Sequence, residues 1–124
     1  MRINFENPAN TLFIRAYTEN SIKINDQVFS HSLIITTQHV TPWDVNDFSA
    51  LSAEKFQILA ELDVEIILFG TGAKQRFPAM ALTQAIIAQQ KSLEVMNNGA
   101  ACRTYNILAA DGRKVAAAIL LENN

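Results

Sequence analysis

One stretch decides the fold class of this chain: Val64-Glu65-Ile66-Ile67-Leu68-Phe69-Gly70. It is a nearly unbroken apolar run of strand length that ends in a glycine. Such a run is typical of a strand that is covered by other elements on both faces of its sheet. We therefore predict that these residues form a central strand, and the rest of the chain is assigned outward from it.

The residues after this strand alternate between helical and extended patterns. Pro78 is suited to a helix start, where its missing N–H costs nothing, and a helix is predicted over residues 79–90. A strand over 93–96, a third helix from 99 to about 108 and a last strand over 114–121 follow. This alternation predicts βαβ units with right-handed crossovers.

The N-terminal part has a different character. Its short aromatic and β-branched segments are separated by Glu19-Asn20 and Asn25-Asp26, residues that favour turns, which predicts an antiparallel meander. Trp43 follows it, and we expect its side chain to be buried rather than to serve as an exposed interface residue. A first helix is then predicted over 52–62. The meander segments are 12–16, 21–24, 27–29 and 32–36.

Composition supports one domain covering residues 1–124. A hydrophobic fraction of 49% with 18% charged residues is ordinary for a globular protein, and the length suffices for a core without a metal or disulfide. No repeat or Pro/Gly-rich linker marks a boundary. The predicted fold class is α/β: an N-terminal antiparallel meander joined to βαβαβ, giving a central mixed sheet with flanking helices.

Charge and cysteine content restrict the partners. A net charge of -2 argues against general nucleic-acid binding, which requires a cationic surface. The single Cys102 excludes an intramolecular disulfide and suits a reducing compartment. The N-terminus lacks a secretory signal pattern, and the longest apolar run, 115–121, is too short to span a bilayer. We expect a cytoplasmic protein without membrane insertion, metal or cofactor.

The loop after the central strand is the first candidate site. Gly70, Thr71 and Gly72 stand between a strand and a helix, where glycines let the backbone approach a ligand and a helix N-terminus favours anions. Lys74 and Arg76 add cationic donors. The spacing matches neither a Walker loop nor a dinucleotide loop. The alternative is a tight turn with solvated basic residues.

The start of the third helix is the second candidate. Asn98 is a predicted cap. Cys102 beside Arg103 suggests a thiol of lowered pKa, but free cysteines are often simply buried, and a nucleophile also needs a positioned base. The only histidines, His31 and His39, lie in the meander region. The catalytic residues therefore stay unassigned.

Arg103 is unfavourably placed against the helix dipole, which predicts that it has a partner. That partner is a bound anion, an acidic side chain such as Asp44 or Asp111, or carbonyls of a neighbouring loop. Tyr105 is expected to share this polar network. The candidate ligand-binding residues are thus Gly70, Thr71, Gly72, Lys74, Arg76, Arg103 and Tyr105.

The two motifs, residues 69–78 and 99–108, resemble a family of small proteins of unknown biochemical function whose eukaryotic members are mitochondrial complex I assembly factor 3 proteins. The resemblance covers nearly the whole chain and implies a mixed sheet with helices against it. It implies no settled enzymatic activity, and it suggests a bacterial helper of membrane-complex assembly. The sequence departs from the family pattern at Asn97-Asn98, where many relatives have an acidic residue followed by a hydroxyl one.

Two functions follow as hypotheses. The first is a non-enzymatic assembly or scaffold module that acts through a protein partner of unknown identity. The second is a small anionic-ligand-binding protein, or an enzyme, that uses the Gly70–Gly72 loop and the helix start at Arg103. A reaction dependent on Cys102 ranks third.

Overall fold

Two β-sheets and three α-helices make up the computed structural model, which describes residues 10–122. The prediction about an N-terminal secretory signal concerns residues that lie largely outside this range. Short 3₁₀ turns at Phe48–Ala50 and Met80–Thr83 complete the structure. In chain order the regular elements are β1 (Ile14–Tyr17), β2 (Ile22–Ile24), β3 (Gln27–Phe29), β4 (Leu33–Thr36), β5 (Val40–Pro42), α1 (Ala53–Ala60), β6 (Ile66–Gly70), α2 (Gln84–Ala88), β7 (Ser92–Met96), α3 (Asn98–Ala110) and β8 (Val115–Ile119).

The larger sheet has the strand order β5-β4-β8-β6-β7. The strand β6 runs parallel to both β7 and β8, whereas β4 pairs antiparallel with β8 and with β5. Ile67, Leu68 and Phe69 of β6 are fully buried, so this strand is covered on both faces as its apolar run predicts. The predicted α/β class with a central mixed sheet is confirmed.

The predicted meander divides between the two sheets. Strands β1 to β3 form a separate antiparallel sheet, and β4 joins the larger sheet beside β8. Burial explains the division: β2 alternates between buried Ile22 and Ile24 and exposed Lys23, while Leu33, Ile34 and Ile35 of β4 are all buried. A strand that is apolar on both faces has to enter a layer that is covered on both sides.

Two local assignments differ from the prediction. The strand β5 is absent from the predicted elements. It contains Pro42, which lacks an N–H and is tolerated there because β5 is an edge strand. The predicted helix over 79–90 is a 3₁₀ turn followed by the short α2. The Thr83 hydroxyl donates to the Met80 carbonyl at 3.1 Å, a local bond that competes with a continuous helix.

The core has two parts, one on each face of the larger sheet. The small sheet and α3 cover one face, and α1 and α2 cover the other. Trp43 is buried as predicted, and its ring meets those of Phe56 in α1 and Phe69 in β6 edge-on, at 6.2 Å and 5.7 Å between centroids. Both candidate motifs lie at the carboxyl ends of the parallel strands, because one follows β6 and the other follows β7.

Candidate functional site

The loop after β6 owes its shape to its two glycines. A Cβ atom at Gly70 would lie 2.5 Å from the Asn98 Oδ1, so a larger residue would collide with the start of α3. Gly72 has a φ of +106°, a conformation that residues with a side chain rarely adopt. Steric fit and backbone conformation thus account for both glycines without a ligand.

Thr71 closes this loop on itself. Its side chain is buried, and its hydroxyl donates to the Lys74 carbonyl at 2.6 Å and accepts from the Arg76 N–H at 3.1 Å. Its backbone N–H donates to the carbonyl of Met96 at the end of β7. The loop is therefore fixed by bonds within itself and to the neighbouring strand.

Arg76 forms an ion pair with Glu122. Its Nη2 lies 2.9 Å from the Glu122 Oε1 and 2.5 Å from the carbonyl oxygen of Thr71. The guanidinium also stacks on Phe48, at 4.6 Å from the ring centroid, and the other Glu122 oxygen accepts from the Phe48 N–H. Arg76 joins three segments distant in sequence, whereas Lys74 is exposed and forms no salt bridge with any residue in the range 10–122.

Asn98 connects the two motifs, and it is not the helix cap. The cap is Asn97, whose Oδ1 accepts from the Ala100 N–H at 2.8 Å. The buried Asn98 side chain accepts from the Gly72 N–H at 3.0 Å and donates to the Leu120 carbonyl at 2.9 Å. Asn98 is therefore the hydrogen-bond partner of two backbone groups, the Gly72 N–H after β6 and the Leu120 carbonyl after β8.

Arg103 has a partner that the sequence did not suggest. Its Nη1 donates to the hydroxyl of Tyr17, at the end of β1, at 3.3 Å. The Tyr17 hydroxyl also lies against Gly99, where a Cβ atom would be 2.5 Å from it. Both side chains remain exposed, so Tyr17, Gly99 and Arg103 form a polar cluster on the surface at the start of α3.

Tyr105 belongs to a different network from Arg103. Its hydroxyl donates to the Leu12 carbonyl at 2.9 Å, and burial raises the pKa of its phenol well above the ordinary value. The neighbouring Asn106 accepts from the N–H and donates to the carbonyl of Ile14. These two residues attach the N-terminal sheet to α3, which is a structural role.

Cys102 is buried against the sheet, as its structural interpretation predicts. Burial raises the pKa of the thiol to about 11, although the nearby charge of Arg103 acts in the opposite direction. The suggestion of a lowered pKa is therefore wrong. The Nδ1 of His31 donates to the Ser32 carbonyl at 3.0 Å, and its ring meets that of Phe29 edge-on at 6.0 Å between centroids.

The two predicted arginines have different partners in the structure. Arg76 lies beside Gly72 and is paired with Glu122, while Arg103 lies beside Gly99 and contacts Tyr17. Sequence reasoning missed Glu122, Phe48 and Tyr17, because each meets its partner across a long stretch of chain. Contacts between residues so far apart in sequence cannot be predicted from a local sequence pattern.

A groove of about 990 Å³ lies at the opposite end of the sheet, where β6 and β8 begin. It is also absent from the sequence-based candidates. The β4–β5 turn, the segment before β6 and the α3–β8 turn form its walls. Its charged lining includes Asp63, Asp111, Arg113 and Lys114.

Residues 10–122 contain neither a membrane-spanning helix nor a cluster of metal ligands. No helix there is both long and apolar enough to cross a membrane. No group of three or more histidine, cysteine, aspartate or glutamate side chains there is placed to hold a metal ion.

Known proteins resemble this chain over most of its length. A 13 kDa major membrane protein of Francisella tularensis is 28% identical over 111 residues, which is 88% of this chain and 90% of that protein. The human NADH dehydrogenase [ubiquinone] 1 alpha subcomplex assembly factor 3 is 25% identical over 90% of this chain, which spans only 62% of its length.

The fold has solved counterparts. A Bordetella pertussis protein described as an Mth938-like domain superposes with a TM-score of 0.82 at 28% identity, covering 100% of this chain and 94% of that one. Residues 14–120 match the family model described as "Protein of unknown function (DUF498/DUF598)". The chain therefore belongs to this family, whose relatives include the complex I assembly factor 3 proteins.

Proposed function

We propose that this chain is a bacterial, cytoplasmic assembly or scaffold module that acts by binding a protein partner and catalyses no reaction. The observation that carries the proposal is the exposure of Phe77 and Met80, 70% and 74%, on the segment that follows the Gly70–Gly72 loop. Aromatic and methionine side chains are enriched in protein interfaces. The similarity to complex I assembly factor 3 proteins supports the same proposal.

The segment that carries these apolar side chains is held in place. Thr71 and the Arg76–Glu122 pair anchor its beginning, and Leu82 packs at its end against the core formed with α1 and α2. A surface that is ordered before binding loses less conformational entropy on association. On this view, the polar residues of the first motif serve to present Phe77 and Met80.

The experiment compares two variants of this chain in pull-downs from its host under mild crosslinking. Phe77→Ser combined with Met80→Ser should abolish recovery of a reproducible partner. Ile107→Ser is the matched control, because Ile107 is 68% exposed on α3, outside this segment. Recovery of no partner by the unmodified protein, or equal recovery by all three proteins, would contradict the proposal.

A second candidate function is the binding of a small anion at the start of α3. Two observations favour it: Arg103 has no acidic partner among residues 10–122, and the buried Nε of Arg76 has no hydrogen-bond partner within the same range. The pairing of Arg76 with Glu122 weighs against it, since that charge is already neutralised.

Thermal unfolding in the presence of nucleotides, phosphorylated metabolites and simple anions tests this candidate. A ligand at 100 times its Kd should stabilise the protein by about 2.7 kcal/mol, a shift of several degrees. The shift should disappear in Arg103→Ala and persist in Arg113→Ala, which removes a charge at the far end of α3. A panel without any shift would exclude these ligand classes.

A further inference from the structure

We propose that the outer edge of β7 is a docking site for an extended segment of the protein partner, with a basic residue of that segment opposite Glu94. The inference rests on the proposed function and specifies how the partner binds. Strand β7 ends the larger sheet, with β6 as its one hydrogen-bonded neighbour among residues 10–122. With five residues it is the longest edge strand of the two sheets.

The backbone N–H and C=O groups of β7 point alternately toward β6 and toward the open edge of the sheet. The Ser92 N–H donates to the Glu65 carbonyl, and the Met96 carbonyl accepts from the Thr71 N–H, so both groups point toward β6. Because successive residues of a strand point their N–H and C=O groups to opposite sides, Leu93 and Val95 direct theirs outward. These are the groups that an added strand would pair with.

One of the outward-pointing backbone groups, the Val95 carbonyl, is already hydrogen-bonded to a side chain that an incoming strand could displace. The Gln75 side chain donates from Nε2 to the Val95 carbonyl at 2.9 Å, although Gln75 itself is exposed. Its amide occupies the position that the N–H of an incoming strand would take. Gln75 also stands two residues before Phe77, so the edge of β7 lies next to the segment that presents the exposed apolar side chains.

The other edges of the two sheets are less available. Asn106 forms hydrogen bonds with both the N–H and the carbonyl of Ile14, which covers the outer side of β1. Pro42 removes a donor from β5. Strand β3 has only three residues. The geometry therefore favours β7 as the edge for strand addition.

Charge argues against a second copy of this chain as the occupant. Two β7 strands that paired antiparallel with Leu93 opposite Val95, using all the outer groups, would place Glu94 directly opposite Glu94. Like charges at such positions are destabilising. Glu94 is exposed, accepts a hydrogen bond from Ser92 and forms no salt bridge with any described residue, so a lysine or arginine of another protein complements it.

The test uses synthetic peptides and the whole chain. A capped Thr-Val-Lys-Val-Thr peptide at millimolar concentration should slow the hydrogen exchange of the Leu93 and Val95 amides, as measured by NMR. A Thr-Val-Glu-Val-Thr peptide should bind about threefold to fivefold more weakly, and Glu94→Lys should reverse this preference. Unprotected amides, or equal binding of both peptides to both proteins, would overturn the inference.

Two substitutions sharpen the result. Leu93→Pro removes an outward N–H and no ladder bond, so peptide binding should be lost while thermal unfolding still shows a folded protein. Gln75→Ala frees the Val95 carbonyl and should strengthen binding about threefold. Peptide binding that is unaffected by Leu93→Pro contradicts strand addition. Dimers of the unmodified protein in sedimentation that Leu93→Pro abolishes would likewise overturn the inference, because the occupant would then be a second copy.

Failure of this inference is distinguishable from failure of the proposed function. If the partner recovered from the host is retained by Leu93→Pro and lost with the Phe77→Ser and Met80→Ser changes, protein binding stands and strand addition at β7 is wrong. If no variant or unmodified protein recovers a partner, the proposed function itself fails.

Discussion

The loop after β6 and the start of α3 use their arginines in opposite ways. In the loop, Arg76 pairs with Glu122, stacks on Phe48 and bonds to the Thr71 carbonyl. At the start of α3, Arg103 stays exposed, and its one hydrogen-bond partner among residues 10–122 is the hydroxyl of Tyr17. One of these two arginines is therefore paired with distant parts of the fold, and the other stays exposed at the surface.

Substitution of Asn98, which lies between the two regions, should have the largest effect on the free energy of unfolding. Asn98→Ala leaves the buried Gly72 N–H and Leu120 carbonyl without partners and should lower the free energy of unfolding by about 2–4 kcal/mol. Asn97→Ala is the matched control, and loss of this helix cap should cost about 1 kcal/mol. Urea denaturation measures both. Equal costs would show that Asn98 does not hold the two motifs together.

The burial of Cys102 on the inner face of α3 should make the protein less stable at high pH. The folded-state pKa of Cys102, about 11, lies above its ordinary value of 9.0, so the stabilisation is fully present below pH 9 and is lost as pH rises toward 11. Two pKa units correspond to about 2.7 kcal/mol, an upper value since the side chain is not wholly enclosed. Cys102→Ala should reduce the slope of unfolding free energy against pH across this interval.

The buried Tyr105 contributes to the same slope, because its pKa is also raised by burial. The slope should therefore decrease in Cys102→Ala without vanishing. An unchanged slope between pH 9 and 11 would mean that the thiol is accessible to water, and alkylation by iodoacetamide at pH 8 would then proceed equally fast in the folded and unfolded protein.

The Arg76–Glu122 pair should have a moderate effect. A double-mutant cycle with Arg76→Ala and Glu122→Gln should give a coupling energy of about 1 kcal/mol, the upper end for pairs that are partly exposed. The cycle is needed because Arg76→Ala alone also removes the contacts with Phe48 and Thr71. A coupling near zero would indicate that packing on Phe48, rather than charge, holds Arg76.

The smallest effect is expected at Arg103. Because its side chain is exposed, Arg103→Ala should change the free energy of unfolding by less than about 0.5 kcal/mol. Tyr17→Phe, which removes the hydroxyl that Arg103 contacts, serves as a companion variant in the same denaturation series. If Arg103→Ala lowered the free energy of unfolding as much as Arg76→Ala does, the contrast between the two regions would be wrong.

Local patterns in the sequence were sufficient for the order of strands and helices from β6 to β8. The apolar run ending at Gly70 and the helical pattern in residues 99–108 depend on burial, which acts residue by residue. The same patterns missed β5, an edge strand that contains Pro42, and overestimated the length of α2, where the Thr83 hydroxyl bonds to the Met80 carbonyl.

By itself, the sequence determined the α/β class, the interior position of β6 in its sheet and the burial of Trp43. Only the tertiary structure decided that Arg76 meets Glu122, that Asn98 joins Gly72 to Leu120, and that Tyr17 meets Arg103. The physical reason is that hydrophobic patterning and backbone conformation are properties of neighbouring residues. A hydrogen bond between positions 46 or 86 residues apart depends instead on how whole elements pack.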